Sequence, residues 1–360
     1  MIVAMRHVDH IADSLCLNGA RLLAALHGLL FLAFLATLLL LAPQVRADDQ
    51  VSCTGQNLLQ ELAAEDPARL VDVEEKAAAV VNGEGLLWKI EKPGVVPSYL
   101  FGTMHLTDPR VVTLTPPARK AFDAAGTVVV EAVDALDPKA AAAAVMQRPD
   151  LMMFTDGRKL TDLLDPEDRA LVEKELATRG MPLVAVERMK PWVVSSALAL
   201  PACEMARKKS GAPFLDARLA EDARAQGKAL KGLETMISQM EAMDSMPLKV
   251  HLDGLISTLA LGDRIDDMIE TMIVLYQKGQ TGMVWPMLEA MTPEQSAADE
   301  SYATFEKVMV TARNHGMVAS AEPIIDAGNA FIAVGALHLP GKEGVIELLR
   351  KAGYTVTRAD

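Results

Sequence analysis

The sequence predicts an α/β fold with mostly buried strands and a large helical insertion. Short β-branched runs bounded by glycine, such as Thr127–Val130 and residues 330–334, are typical of strands buried on both faces. Between about residues 137 and 310 the apolar residues recur at three- and four-residue spacing, which predicts helices. Since 51% of the 360 residues are hydrophobic, the chain can bury a sizeable core.

The N-terminus predicts a signal for export. The 21 residues from Leu22 to Ala42 carry no formal charge, and the Val-Arg-Ala sequence at 45–47 offers a cleavage site after Ala47. The run is also long enough to span a bilayer once, so an uncleaved transmembrane helix that tethers the chain is the alternative. Both interpretations place the protein outside the cytoplasm, either in the periplasm or anchored in the inner membrane and facing the periplasm.

Three segments are expected along the chain. They are a signal peptide or signal anchor over residues 1–47, a polar lead-in and helix over residues 48–80, and one domain over residues 81–360 with its helical insertion at about 137–310. In the lead-in, Asp66 before Pro67 is typical of a helix start. Within the domain, strands are predicted at residues 85–90, 98–101, 127–130, 229–233 and 330–334, followed by a closing helix and a last strand.

Charge and cysteine content limit the partners and the compartment. The formal net charge of −13 argues against nucleic acid as a partner, because neutralising phosphates requires clustered lysine and arginine. Beyond residue 47 two cysteines remain, Cys53 and Cys203. In an oxidising compartment they could pair, and two free or buried thiols are the alternative.

Four of the predicted strands lead into a histidine or a glutamate. These residues are His105, Glu131, Glu234 and His338. Ligands in open α/β sheets collect beyond the carboxyl ends of the strands, so we expect the four side chains at one edge. Imidazole and carboxylate groups bind metals and transfer protons. The pattern therefore predicts a metal site or an acid/base site.

The two histidines have matching surroundings. Each follows an apolar run and is the fourth residue of a Gly-x-x-His-Leu sequence, which begins at Gly102 for His105 and at Gly335 for His338. Glycine lets the backbone turn sharply and come close to whatever the histidine touches. Structure alone gives no reason to repeat this sequence, so the pair favours a functional site. His251, in an amphipathic stretch, is expected on the surface of a helix.

Several separated motifs resemble the TraB/PrgY/GumN family, and especially its bacterial GumN-like branch. They are Leu87-Trp88-Lys89-Ile90, the Ser98–His105 sequence Ser-Tyr-Leu-Phe-Gly-Thr-Met-His, Asp108-Pro109-Arg110, Leu163-Leu164-Asp165, Lys190-Pro191-Trp192, Gly232-Leu233-Glu234-Thr235, Arg313-Asn314 and the sequence from Val334 to Gly341. Their order and spacing agree over roughly residues 80–358. The resemblance implies an EreA/ChaN-like core and a protein that is exported or associated with the envelope.

The resemblance also implies a metal-dependent activity. The family is similar to the Tiki proteins, animal membrane-tethered metalloproteases that require a divalent metal such as manganese or cobalt. In that comparison His105, His338 and Glu131 belong to the active site, which implies that they are the metal ligands. This donor set is compatible with manganese, cobalt or zinc.

The expected function is a metal-dependent hydrolase, most specifically a peptidase of the bacterial cell envelope with a peptide or protein substrate. Either Glu131 or Glu234 would complete the metal site, and the other would act as general base. The family's Arg-Asn pair falls on Arg313 and Asn314, and Arg313 would stabilise the developing oxyanion. Alternatively, Arg313 and Glu234 form a structural ion pair.

Two other functional classes remain open. One is a non-catalytic peptide-binding or inhibitory protein, because PrgY-type members of the family shut down a peptide pheromone. The other is an accessory to exopolysaccharide production, which would need affinity for sugars. Three tryptophans and four tyrosines are a small supply for stacking sugars, which places this class last. No oligomeric state is predicted.

Overall fold

A six-stranded mixed sheet forms the centre of the fold. The computed structural model describes residues 53–262, 264–291 and 298–360, which belong to one compact unit. The strands are β1 (Leu87–Glu91), β2 (Ser98–Thr103), β3 (Thr127–Val130), β4 (Ala229–Gly232), β5 (Ala330–Gly335) and β6 (Thr355–Arg358). The fold is therefore mixed α/β, as expected, with all of the predicted strands present.

The strand order brings four carboxyl ends to one edge of the sheet. The order is β4-β3-β5-β2-β1-β6. Strands β4, β3, β5 and β2 are mutually parallel, whereas β1 is antiparallel to both of its neighbours. In this register Thr103, the last residue of β2, lies opposite Gly335, the last residue of β5. The segments that carry the candidate residues therefore leave the sheet in the same direction.

Both faces of the parallel strands are covered, which explains their continuous apolar sequences. Val128 and Val130 pack into one core cluster and Val129 into the other, and all three are fully buried. Phe331 of β5 contacts the rings of Phe101 and Phe122 at centroid distances of 5.6 and 5.5 Å. Fully burying a side chain of this kind stabilises a fold by about 1.5–3 kcal/mol, so the short strands are held mainly by packing.

Helices surround the sheet and make up most of the described residues. They are α1 (Leu58–Glu65), α2 (Pro67–Ala78), α3 (Pro109–Val112), α4 (Pro116–Ala124), α5 (Pro138–Gln147), α6 (Pro149–Met152), α7 (Pro166–Thr178), α8 (Leu183–Val186), α9 (Pro191–Leu198), α10 (Ala202–Lys209), α11 (Leu215–Ala225), α12 (Met236–Asp244), α13 (Leu248–Leu261), α14 (Arg264–Gln277), α15 (Val284–Met291), α16 (Ala298–Glu306), α17 (Arg313–Ala327) and α18 (Val345–Lys351). A π-helical segment, Lys307–Ala312, connects α16 to α17.

Asp-Pro sequences start several of these helices. The side chains of Asp66, Asp108, Asp137 and Asp165 each accept a backbone N–H of the first turn, and the proline that follows occupies the first helical position. Proline has no N–H to leave unpaired there, and the aspartate satisfies one of the N–H groups that a helix start leaves open. The helix start predicted at Asp66 is confirmed.

Two expectations are wrong for the described residues. None of their helices is long and apolar enough to cross a bilayer, which corrects the expected transmembrane helix. The longest, α17, has 15 residues, whereas a span needs about 20. The apolar run at residues 22–42 lies outside the described residues. His251 is buried, with 6% exposure, because its Nε2 lies 2.9 Å from the Met243 carbonyl oxygen.

Cys53 and Cys203 form a disulfide, so of the two alternatives the paired one is present. Their Cα atoms are 5.4 Å apart and the two residues are 150 positions apart in the sequence. The bond joins the segment before α1 to the start of α10.

Replacing both cysteines (Cys53→Ser with Cys203→Ser) should lower the free energy of unfolding by about 2–5 kcal/mol, since the bond restricts a long loop in the unfolded chain. Urea unfolding with and without dithiothreitol measures this effect. The reductant should destabilise the wild type and leave the double variant unchanged. A fully reduced wild type as stable as the oxidised protein would contradict the prediction.

Candidate functional site

The four polar residues that follow the parallel strands gather at one edge of the sheet. His105, Glu131 and His338 line a cavity of about 310 Å³, together with Arg313 of α17. Glu234 is not among the lining residues of this cavity, and its carboxylate contacts Arg313. The structure therefore brings three of the four residues into the cavity and connects the fourth to them through an arginine.

Close packing explains both glycines of the repeated sequence. A Cβ atom on Gly102 would lie 2.7 Å from Leu339 and 3.1 Å from Ala336. One on Gly335 would lie 3.1 Å from Oε1 of Glu131, the atom to which the Gly335 N–H donates at 2.6 Å. Any larger residue at these positions would push the histidine turn or the carboxylate away.

Asn314 determines which nitrogen of His338 faces the cavity. The Asn314 amide nitrogen donates to the carbonyl oxygen of Glu343 at 2.8 Å, so its amide oxygen must face Nδ1 of His338, 2.6 Å away. That oxygen only accepts, so Nδ1 carries the proton and Nε2 keeps its lone pair. Nε2 lies 3.7 Å from Oε1 of Glu131.

His338 and Glu131 are both deprotonated at neutral pH, which leaves a neutral ring beside an ionised carboxylate. Burial lowers the pKa of His338 to about 4, against the attraction of Glu131, so its ring is neutral at neutral pH. Burial raises the pKa of Glu131, but the charges of His338, His105 and Arg313 together lower it to about 2. Among these three groups, Arg313 is the one that is permanently charged, and its guanidinium donates to Glu131 at 2.8 Å.

His105 faces a different carboxylate, that of Asp216 in the first turn of α11. Its Nε2 lies 3.5 Å from Oδ2 of Asp216, and its ring meets Phe214 edge to face at a centroid distance of 5.4 Å. The His105 side chain is 55% exposed and the Asp216 side chain 4%. Desolvation lowers the pKa of His105, but the Asp216 carboxylate outweighs that effect and raises the pKa above its usual value.

Arg313 connects two glutamates. Its Nη2 donates to Glu131 at 2.8 Å and to Glu234 at 2.7 Å, and its Nε also donates to Glu234. Gln239 of α12 donates to both carboxylates, at 3.1 and 3.2 Å. The Arg313–Glu234 ion pair that the sequence left open is therefore present. The oxyanion role of Arg313 stays a prediction, since most of its donors already bind carboxylates.

Asp216 is the residue that the sequence analysis missed, because it follows no strand. It belongs to the buried face of α11 with Leu219, Ala220 and Ala223. A carboxylate at the three- and four-residue spacing of an apolar helix face is unusual, and that spacing was the available signal. Gln239 was missed as well, and nothing in its local sequence distinguishes it.

Histidine and carboxylate side chains are suitable ligands for a divalent ion. Within residues 53–262, 264–291 and 298–360, however, no three or more His, Cys, Asp or Glu side chains are grouped closely enough to hold one. The two histidine–carboxylate pairs are separated by 3.5 and 3.7 Å. Ligands of one ion lie about 3.0–3.4 Å apart when each is about 2.1 Å from the metal. Oδ2 of Asp216 is buried without a hydrogen-bond partner, and Nε2 of His105 lies 3.5 Å from it.

Arg313→Met should lower the free energy of unfolding by about 3 kcal/mol, because the carboxylates of Glu131 and Glu234, which are 7% and 11% exposed, lose the cation that they share. Chemical denaturation measures this loss. Arg169→Met is the matched control, since it removes an exposed ion pair with Glu173 and should change stability little. Equal effects of the two substitutions would show that the buried cluster does not depend on Arg313.

Several curated proteins that are similar to this chain are named as metalloproteases. The chain is 23% identical to Metalloprotease TIKI2 of Danio rerio, over 78% of this chain and 62% of that protein. It is 25% identical to Metalloprotease TIKI1 of Danio rerio (75% and 62% covered) and 25% identical to Metalloprotease TIKI1 of Homo sapiens (76% and 61%). The chain thus spans about three fifths of the length of these curated relatives.

A protein-family model also matches most of the chain. No solved structure matches the chain significantly. The model of the TraB/PrgY/gumN family matches residues 86–358, from the start of the sheet to the end of β6. That match includes both histidine turns, Glu131, Asp216 and the Arg313 cluster. The chain belongs to the TraB/PrgY/gumN family.

Proposed function

We propose that this protein is a metal-dependent peptidase of the bacterial cell envelope. The observation that carries the proposal is the convergence of His105, His338 and Glu131 on one cavity at the carboxyl edge of the parallel strands. Relatives named as metalloproteases support the same reaction class. Both lines of support are independent of the predicted export signal.

His105, His338 and Glu131 are the residues proposed to hold the ion, which would be manganese, cobalt or zinc. When bound, a divalent ion of this kind lowers the pKa of a water molecule and polarises a peptide carbonyl. His338 offers a neutral ring with its lone pair facing the cavity, because Asn314 holds the opposite nitrogen. His105 must release its proton to bind, so protons should compete with the metal at low pH.

The glutamates have different roles in this proposal. A carboxylate with a pKa near 2 attracts a cation well and takes up a proton poorly, which favours Glu131 as a ligand over a general base. The carboxylate of Glu234 is clamped by Arg313. We therefore assign to Glu234 the positioning of Arg313, and through it of Glu131.

The shape of the cavity favours an extended substrate. Its walls include Met272, Met309 and Leu337, which can shield the reacting groups from water and accept apolar side chains. A second cavity of about 650 Å³ shares Val310 and Leu337 with the first. Two adjoining depressions suit a peptide chain that passes the histidines better than a small compact molecule.

Export is supported by the disulfide between Cys53 and Cys203, because such bonds persist in oxidising compartments and are rare in the cytosol. In a bacterium the compartment in question is the periplasm. A peptidase there would act on peptides or proteins of the envelope.

Near-stoichiometric divalent metal is expected in the purified protein after dialysis against manganese, cobalt or zinc, and none in the His105→Ala, His338→Ala double variant. Elemental analysis measures the metal content. Mass spectrometry of a peptide mixture incubated with each protein measures hydrolysis, which should require the metal. His315→Ala is the matched control, because His315 is an exposed histidine that pairs with Glu343.

If the wild-type protein takes up none of the three metals, the proposal of a metal-dependent peptidase is wrong. In that case, retention of peptides by the metal-free protein would support the non-catalytic peptide-binding class instead.

Asn314→Ala should weaken metal affinity about 10- to 100-fold, because His338 loses the partner that selects its tautomer and orients its ring. Isothermal titration calorimetry with Mn²⁺ gives the affinity, and circular dichroism verifies the fold. Asn82→Ala provides the comparison, since the Asn82 amide bonds Glu347 and Arg350 instead of a histidine. If Asn314→Ala binds Mn²⁺ with unchanged affinity, Asn314 does not support the metal site.

A further inference from the structure

We infer that Asp216 is a further ligand of the metal, bound through Oδ2 on the His105 side of the cavity. The inference rests on the proposed function and adds a fourth donor to His105, His338 and Glu131. Its starting point is the Asp216 carboxylate, whose side chain is 4% exposed. Oδ1 accepts a hydrogen bond from the Thr103 hydroxyl at 3.0 Å, and Oδ2 has no hydrogen-bond partner within the described chain.

An unpartnered carboxylate oxygen inside a protein needs an explanation, since burying a charge without a partner is costly. A plain ion pair with His105 is the simplest alternative. The ring nitrogen lies 3.5 Å from Oδ2, which is close enough for an ion pair, but it forms no hydrogen bond with Oδ2. More than half of the His105 side chain is exposed, so the ring is free to satisfy its polar atoms with water. A cation between the two groups would satisfy both.

The ends of two neighbouring strands hold the two carboxylates in equivalent ways. Thr103 ends β2 and fixes Oδ1 of Asp216, while Gly335 ends β5 and fixes Oε1 of Glu131 with its N–H. Thr103 and Gly335 are opposite each other in the sheet. Each histidine turn thus supplies one imidazole and also holds the carboxylate that faces it. Asp216 is to His105 what Glu131 is to His338.

The charges of the site point to a divalent cation. Glu131, Glu234 and Asp216 contribute three negative charges, and Arg313 contributes one positive charge. With neutral histidines the cluster carries a net charge of −2, which one divalent ion neutralises. Two imidazoles and two carboxylates form a mixed nitrogen and oxygen donor set without sulfur, which suits manganese, cobalt or zinc better than copper(I).

The test compares Asp216→Asn with the wild type in the full chain. The asparagine keeps the shape and the Oδ1 acceptor but lacks the charge of a ligand. Mn²⁺ affinity by calorimetry should fall at least about 10-fold. The visible spectrum of the Co²⁺-loaded protein should also change, because it reports the donor set. Asp222→Asn is the matched control on the same helix, where Asp222 pairs with Arg119, and it should leave both readouts unchanged.

Each outcome separates this inference from the proposed function. If the wild type and Asp216→Asn bind Mn²⁺ equally and give the same Co²⁺ spectrum, Asp216 is not a ligand, and the metal site of His105, His338 and Glu131 stands. If the wild type binds no metal, the proposed function fails and this inference fails with it. Should Asp216→Asn not fold, Thr103→Val gives the answer. It removes only the support of Oδ1 and should weaken Mn²⁺ binding, while unchanged binding overturns the inference.

Discussion

The organisation of the site depends on the buried carboxylate of Glu131, which groups from three separate elements hold in place. The N–H of Gly335 at the end of β5, the guanidinium of Arg313 on α17 and the amide of Gln239 on α12 all donate to it. Arg313 also donates a hydrogen bond to Glu234, which follows β4. One charged cluster therefore couples the positions of three strand ends, and His338 faces Glu131 because both are fixed to the same turn.

Much of the fold could be predicted from local sequence, because its strands are short and buried on both faces. Thr127–Val130 has no alternation of polar residues since both of its faces are covered by core clusters. The edge at which His105, Glu131 and His338 meet also follows from local sequence, once the strands are parallel. The repeated Gly-x-x-His sequence also reflects close packing, since a Cβ atom on Gly102 would lie 2.7 Å from Leu339 and 3.1 Å from Ala336.

Most of the remaining features are contacts between residues far apart in the chain, which local patterns do not encode. Asp216 meets Thr103 across 113 positions, and Cys53 meets Cys203 across 150. His251 is buried because the carbonyl of Met243 satisfies its ring, which an amphipathic pattern alone cannot indicate. Likewise, the predicted roles of Arg313 and Glu234 depended on which partner each one meets, and the structure pairs Arg313 with both Glu234 and Glu131.

The position of β5 has a consequence for when the candidate site can assemble. This strand follows β1 to β4 in the chain, yet it lies in the middle of the sheet between β3 and β2. Until residues 330–338 arrive, His338 is absent and the neighbouring strands expose open edges. A chain that has been synthesised only as far as β4 thus holds no assembled site. On the proposed function, an ion would be bound only where residues 330–338 have joined the sheet, so the metals supplied there would decide which one the protein binds.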